Sequence, residues 1–229
     1  MKFAVAAALV ALAACRAQPA EPKPELYVMT SLPLLFDEGF TAGPATGEAA
    51  VFLREHYTLK PIDLPSQLPP SATLLAVQPR ALPAEELVAL DAWVRGGGKM
   101  LLLADPMHEW PSKRALGDRL RPPVSFADTG LLLHWGLRLD APDERGPVRL
   151  GGGHSPVVFL SPGKFASGSR DCKLYRADIE ATCQIGRGTV VLAADADWLN
   201  EGLVAAEGGM FRWQMNELES MIAEARAAK

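Results

Sequence analysis

Two short apolar runs, Thr73-Leu74-Leu75-Ala76-Val77 and Lys99-Met100-Leu101-Leu102-Leu103-Ala104, stand one helix apart and constrain this chain more than any other feature. Each is too short for a helix and apolar on both alternating faces, the pattern of a strand covered above and below in a parallel sheet. Between them Leu87, Leu90 and Val94 recur at helical spacing. Pro83 stands at the first helical position, Glu85 and Glu86 in the first turn, and Gly96-Gly97-Gly98 is the stop. The segment therefore reads as one βαβ unit with a right-handed crossover.

Further elements extend that unit into an α/β sheet. Leu26-Tyr27-Val28-Met29-Thr30 reads as an opening strand, followed by a long loop carrying Asp37 and Glu38, and Glu48 to Tyr57 reads as a helix. Leu59 to Asp63 reads as a strand that Pro61 confines to an edge. Pro111 to Pro123 is irregular, and Thr129 to Leu139 reads as a helix ending near Gly136 before a short strand. Gly146 to Gly153 reads as turn, and Val157 to Leu160 as a strand. Cys172 to Cys183 reads as a hairpin turning at Ala177-Asp178, and Thr189 to Ala194 as a third doubly buried strand. Met210 to Ala228 closes the chain as an amphipathic helix with Phe211, Met215, Leu218 and Ile222 on one face.

At 229 residues with 48% hydrophobic and 22% charged content, the chain can bury one sizeable α/β core. Its formal net charge of −4, with no basic cluster, excludes the electrostatic footprint of a nucleic-acid binder. Lys2 followed by the apolar run Phe3 to Ala11 is the layout of an export signal too short to span a bilayer. It ends in Leu12-Ala13-Ala14-Cys15, which resembles a bacterial lipobox whose Cys15 is lipidated; the alternative is ordinary signal cleavage with Cys15 incidental. Residues 1–14 are then signal peptide, 15–25 a lipidated cysteine and Pro-rich tether, and 26–229 one α/β domain. Arg16 after the cysteine resembles lipoproteins sorted to the outer membrane, facing the periplasm.

Two segments, Leu82 to Leu87 continuing through Arg95-Gly96-Gly97-Gly98 to Asp105-Pro106, and Ile185 to Asn200, resemble the auxiliary, glutamine-amidotransferase-like domain of ABC-type transport systems and its gliding-motility relatives. That resemblance implies a single flavodoxin-like, mostly parallel sheet with helices on both faces and a C-terminal β-hairpin. It also implies a domain that usually lacks amidotransferase chemistry and serves an envelope transport or assembly system.

The residues agree with that implication. An amidotransferase nucleophile would be a Cys on a tight turn after a central strand, yet Gln78-Pro79 and Asp105-Pro106 follow the two central runs. Cys172 and Cys183, in an exported chain, read as a cross-hairpin disulfide. Ser161-Pro162-Gly163-Lys164 matches the S-x-x-K pattern but reads as a turn, and Gly151-Gly152-Gly153-His154-Ser155 as a glycine loop. His56, His108, His134 and His154 show no metal-ligand spacing, so neither metal nor cofactor is expected.

Asp105 and Asp195 each end a buried parallel strand, where open α/β sheets take ligands. Two readings stand: helix and turn capping, or a ligand site with Ser31, Gln78, His108, Asp197 and Asn200. The favoured function is a non-enzymatic, membrane-anchored lipoprotein that binds an envelope protein partner. The alternative is a metal-dependent hydrolase or other enzyme using those acidic residues.

Overall fold

The computed structural model describes residues 22–38, 44–151 and 156–227, so the lipobox at Cys15 and the His154-Ser155 pair lie outside the described residues. Along the chain the elements begin with β1 (Glu25–Thr30), α1 (Glu48–His56), β2 (Thr58–Pro61), β3 (Thr73–Val77), α2 (Ala84–Arg95) and β4 (Lys99–Leu103). After a long irregular stretch come α3 (Leu131–His134), β5 (Leu137–Asp140), β6 (Pro147–Leu150), β7 (Val157–Leu160) and β8 (Lys164–Ser167). The chain closes with β9 (Cys172–Tyr175), β10 (Glu180–Ile185), β11 (Gly188–Ala193), α4 (Glu201–Ala206) and α5 (Phe211–Ala227).

One seven-stranded sheet carries the fold in the order β2-β1-β3-β4-β11-β10-β9. The first five positions are parallel and follow the 2-1-3-4-5 succession of flavodoxin-like sheets. β10 and β9 then extend it antiparallel. Because consecutive side chains in a strand point to opposite faces, β3, β4 and β11 divide between two cores. Leu75, Val77, Leu101, Leu103, Val191 and Ala193 face the core that α5 covers with Phe211, Met215, Leu218 and Ile222. Leu74, Ala76, Met100, Leu102, Val190 and Leu192 face the opposite core, covered by Leu90 and Val94 of α2. Each such Val, Leu, Ile, Met or Phe side chain contributes about 1.5–3 kcal/mol when it leaves water.

Local chemistry sets the joints. Pro83 lies just outside α2 as its N-cap residue, one position earlier than the sequence suggests. A Cβ on Gly188 would lie 2.0 Å from the Val94 carbonyl oxygen, so only glycine lets β11 enter beneath the end of α2. Pro61 sits on the edge strand β2, where a missing N–H costs no ladder bond. Cys172 and Cys183 face each other in the β9–β10 register and form the disulfide, which contributes about 3 kcal/mol in a chain-entropy account.

Two differences from the sequence reading concern small ribbons. Residues 147–150, expected as turn, form β6 and pair antiparallel with β7, while β5 pairs with β8. Gly146 and Pro147 resemble breakers, yet Val148 and Leu150 alternate with exposed neighbours and pack against the α5-side core. The expected strand Val157–Leu160 exists but belongs to this ribbon.

Glu180, at the start of β10, is buried, and burial pushes its carboxyl up to about 7 against the opposing pull of Arg176. A raised folded pKa means the folded chain binds the proton more tightly, so this stabilisation is complete below the unfolded value near 4.5 and is lost as pH rises through 7. Thermal midpoints should therefore fall between pH 4.5 and 7, as a stabilisation on the order of 2–3 kcal/mol from this group is lost. In Glu180→Gln the slope should flatten; an unchanged slope would remove Glu180 as its source.

Candidate functional site

The site is built where β4 and β11 end. Asp105 follows β4 and is fully buried, so its charge and both backbone groups must find partners inside the protein. Its Oδ1 accepts from the Met107 N–H at 2.8 Å and its Oδ2 from the Ala196 N–H at 3.1 Å. Its backbone N–H donates to Gln78 Oε1 at 2.9 Å, and its carbonyl accepts from Gln78 Nε2 at 3.0 Å. Gln78 is thus a side-chain rung that extends the β3–β4 ladder by one step. It is held at φ 44°, a conformation a non-glycine residue adopts only when its surroundings over-determine it. The Ser31 hydroxyl, just past β1, donates to the Gln78 carbonyl.

Asp195 occupies the matching position after β11. Its Oδ2 accepts from the Leu160 N–H at 2.5 Å and its Oδ1 from the Asp197 N–H at 2.7 Å. Asp197 Oδ2 accepts from the Glu109 N–H, and Asp197 Oδ1 lies 2.9 Å from His108 Nδ1. The same ring nitrogen is 3.6 Å from Asp105 Oδ2. Neither contact is aligned as a hydrogen bond, and Nε2 also lacks such a partner among the described residues. His108 sits at the neck of a long excursion, where its N–H donates to the Val124 carbonyl and the Phe126 N–H to the Asp105 carbonyl.

Electrostatics follow from burial. Burial pushes the Asp195 carboxyl well up, and the charges of Asp105 and then Asp197 push it further. Burial also raises Asp197, while contact with His108 pulls it down. For His108 burial alone would favour the neutral ring, but the two carboxylates outweigh it and hold the imidazolium up to about 9.

The structure brings Asp105, His108, Asp195 and Asp197 into one buried cluster and joins Ser31 and Gln78 to its rim. Asn200 stands apart in role: its Oδ1 accepts from the Leu203 N–H and caps α4. Ser161 opens no helix; at φ 51° its hydroxyl donates to Glu109 Oε1 at 2.6 Å, tying β7 to the excursion. An open cleft of about 310 Å³ lies beside the cluster at the carboxyl ends of β1, β2 and β3, lined by Thr30, Ser31, Asp63, Arg80 and Arg114 among others. Asp63 and Arg80 were missed by sequence reasoning, though each stands just past a strand's carboxyl end, where crevices form.

If Asp105 and Asp195 were simple caps, alanine would cost about 1 kcal/mol. Asp195→Ala instead strands two buried N–H groups, each costing about 1–3 kcal/mol. Asp195→Asn keeps one acceptor but turns its NH2 toward the other donor, so it strands one N–H rather than two and should cost less than alanine. Urea unfolding of both variants checks this; equal, small losses would mark the residue as an ordinary cap.

Residues 23–144 match the sequence model of a family described as an ABC-type uncharacterized transport system. No curated protein matches the chain. Among solved structures, an exo-β-1,4-mannosidase from Opitutaceae bacterium strain TAV5 is similar over 91% of this chain, at 12% identity and TM-score 0.48; the chain spans 37% of its length. A cytoplasmic protein, STM1381, from Salmonella typhimurium LT2 is similar over 86% of this chain and 99% of its own, at 12% identity and TM-score 0.46. A ThuA-like protein from Bacteroides uniformis is similar over 86% and 94%, at 9% identity and TM-score 0.46. At these identities and TM-scores none carries an argument about activity.

Proposed function

Because the chain belongs to the family of the ABC-type uncharacterized transport system, whose match covers residues 23–144, we propose that it is a lipid-anchored auxiliary module of an envelope transport system that works by binding a protein component of that system. The anchor is Cys15, on the reading of Leu12-Ala13-Ala14-Cys15 as a lipobox, with the domain facing the periplasm from the outer membrane. Among the described residues no helix is long and apolar enough to cross a membrane.

The observation that carries the binding role is the apolar exposure around the cleft. Phe36 and Leu120 line it at 57% and 51% exposure, and Leu116 and Val124 stand out from the same excursion at 81% and 62%. Two large apolar side chains exposed in the lining of a polar cleft suit protein docking better than solvent. Arg80 and Asp63 in the cleft supply charges of both signs for orienting a partner. The hydrolase reading draws no support from this geometry, since Asp105, Asp195 and Asp197 are fully buried and hold backbone N–H groups.

A photo-crosslinking residue at Leu116 or Leu120 should capture a subunit of an ABC transporter in living cells. One at Val88, exposed at 70% on α2, should not. Equal capture from all three positions, or only unrelated proteins from Leu116 and Leu120, would overturn the reading. For the anchor, labelled palmitate should enter the wild type and spare Cys15→Ser; equal labelling would remove the lipid from the proposal and leave the docking surface to be judged separately.

A further inference from the structure

The buried cluster contains three carboxylates, and the His108 ring lies against two of them, Asp105 and Asp197. Its ring is 2% exposed, and both nitrogens lack aligned hydrogen-bond partners among the described residues. Buried polar groups left so are rare and call for a partner. Asp197 Oδ1 is in the same condition. The two unsatisfied atoms lie 2.9 Å apart, close enough to bond yet out of line for a shared proton.

That combination is what two ligands of one ion look like. Nitrogen and oxygen each about 2.1 Å from a metal and at right angles to one another lie about 3 Å apart, each about 45° off the other's bonding axis. In tetrahedral geometry the separation grows to about 3.5 Å. The gaps here are 2.9 Å from His108 Nδ1 to Asp197 Oδ1 and 3.6 Å to Asp105 Oδ2, and all three ligand atoms fall within 4.8 Å of one another. A hydrogen bond, by contrast, favours a straight N–H···O line.

We propose that Asp105 Oδ2, His108 Nδ1 and Asp197 Oδ1 bind one divalent transition-metal ion, Zn2+ or Mn2+, which displaces the Nδ1 proton to solvent and clasps the loop after β4 to the loop after β11. One imidazole and two carboxylates form a donor set that such ions accept. The far oxygens of both carboxylates are already aimed by backbone donors, Met107 N–H on Asp105 and Glu109 N–H on Asp197, the outer support that orients metal ligands. Three protein ligands leave a position for water or a further donor, while the burial of the Asp105, His108 and Asp197 side chains keeps the ion away from bulk solvent. The neck of the 106–126 excursion lies over it, so the ion would fix the loop that carries Leu116 and Leu120. Asp105 and His108 are spaced i, i+3; Asp197 arrives only because β4 and β11 are neighbours.

The test uses the full chain, stripped with a chelator and titrated with Zn2+, Mn2+ and, as a contrast, Mg2+. Calorimetry should give one Zn2+ or Mn2+ per chain, with a rise in thermal midpoint that the chelator reverses. Asp197→Asn and His108→Ala should each weaken binding about a hundredfold, the upper end of what disturbing even the supporting contacts of a metal site does. His56→Ala, on the exposed end of α1, should leave it unchanged. Co2+ loading of the wild type should give visible absorption bands, a readout independent of whether either variant folds. No heat, no midpoint shift and no Co2+ bands in the wild type would overturn the proposal. So would binding that survives in folded His108→Ala or disappears in His56→Ala, which would mark it as a surface ion.

Discussion

The carboxylate of Asp105 is held out of water between two strand ends, and much of the carboxyl edge is arranged around satisfying it. An unpaired buried carboxylate is too costly to persist in a folded protein. Here it collects N–H groups from its own loop and from Ala196 across the sheet, while its backbone is closed by the amide of Gln78. The return of the excursion at Phe126 also ends on its carbonyl. One residue thereby joins the ends of β3, β4 and β11 and the neck of a long loop. Asp195 repeats the device toward β7 through Leu160.

This arrangement connects the polar cluster to the open cleft. Ser31 lines the cleft and donates to the carbonyl of Gln78, whose side chain grips Asp105. Arg80, two residues after Gln78, reaches over to the Arg121 carbonyl and holds the far part of the excursion against the β3 end. Glu38 binds the same excursion through the Lys113 N–H and Arg114. The cleft walls are thus carried by loops whose roots are fixed in the sheet, and binding surfaces built this way combine adaptable rims with rigid supports.

What the sequence disclosed was whatever depends on local periodicity or on simple positional rules. Runs of Leu, Val and Ala long enough for a strand and apolar on both faces gave β3, β4 and β11. Pro61 gave an edge, and two cysteines flanking a turn gave a bridge. Val148 and Leu150 escaped notice because Gly146 and Pro147 mask a four-residue strand that gains its order only from β7. Gln78 was visible as a residue after a strand, but its role needs φ 44° and a neighbour, Asp105, brought beside it by strand pairing. The approach of Asp197 to His108 depends likewise on the β4–β11 neighbourhood, which no local pattern encodes. Asp105 and His108 were legible as candidates for a ligand site, but histidine-to-histidine spacing gave no sign of a metal, because the atoms that converge come from one histidine and two carboxylates, one of them brought from another strand.

The pairing of β4 with β11, Lys99 opposite Thr189, also shapes how the chain can be made. During vectorial emergence from the amino terminus, β1 to β4 can assemble from nearby segments, but the outer edge of β4 has no lasting partner until the chain has passed residue 193. That edge is an apolar strand with a row of free backbone groups, the kind of surface that invites pairing with another chain. The β9–β10–β11 meander, by contrast, closes from contacts local in sequence and can form quickly. Its arrival on β4 is the step that retires the exposed edge, so delay there converts a folding intermediate into a nucleus for aggregation.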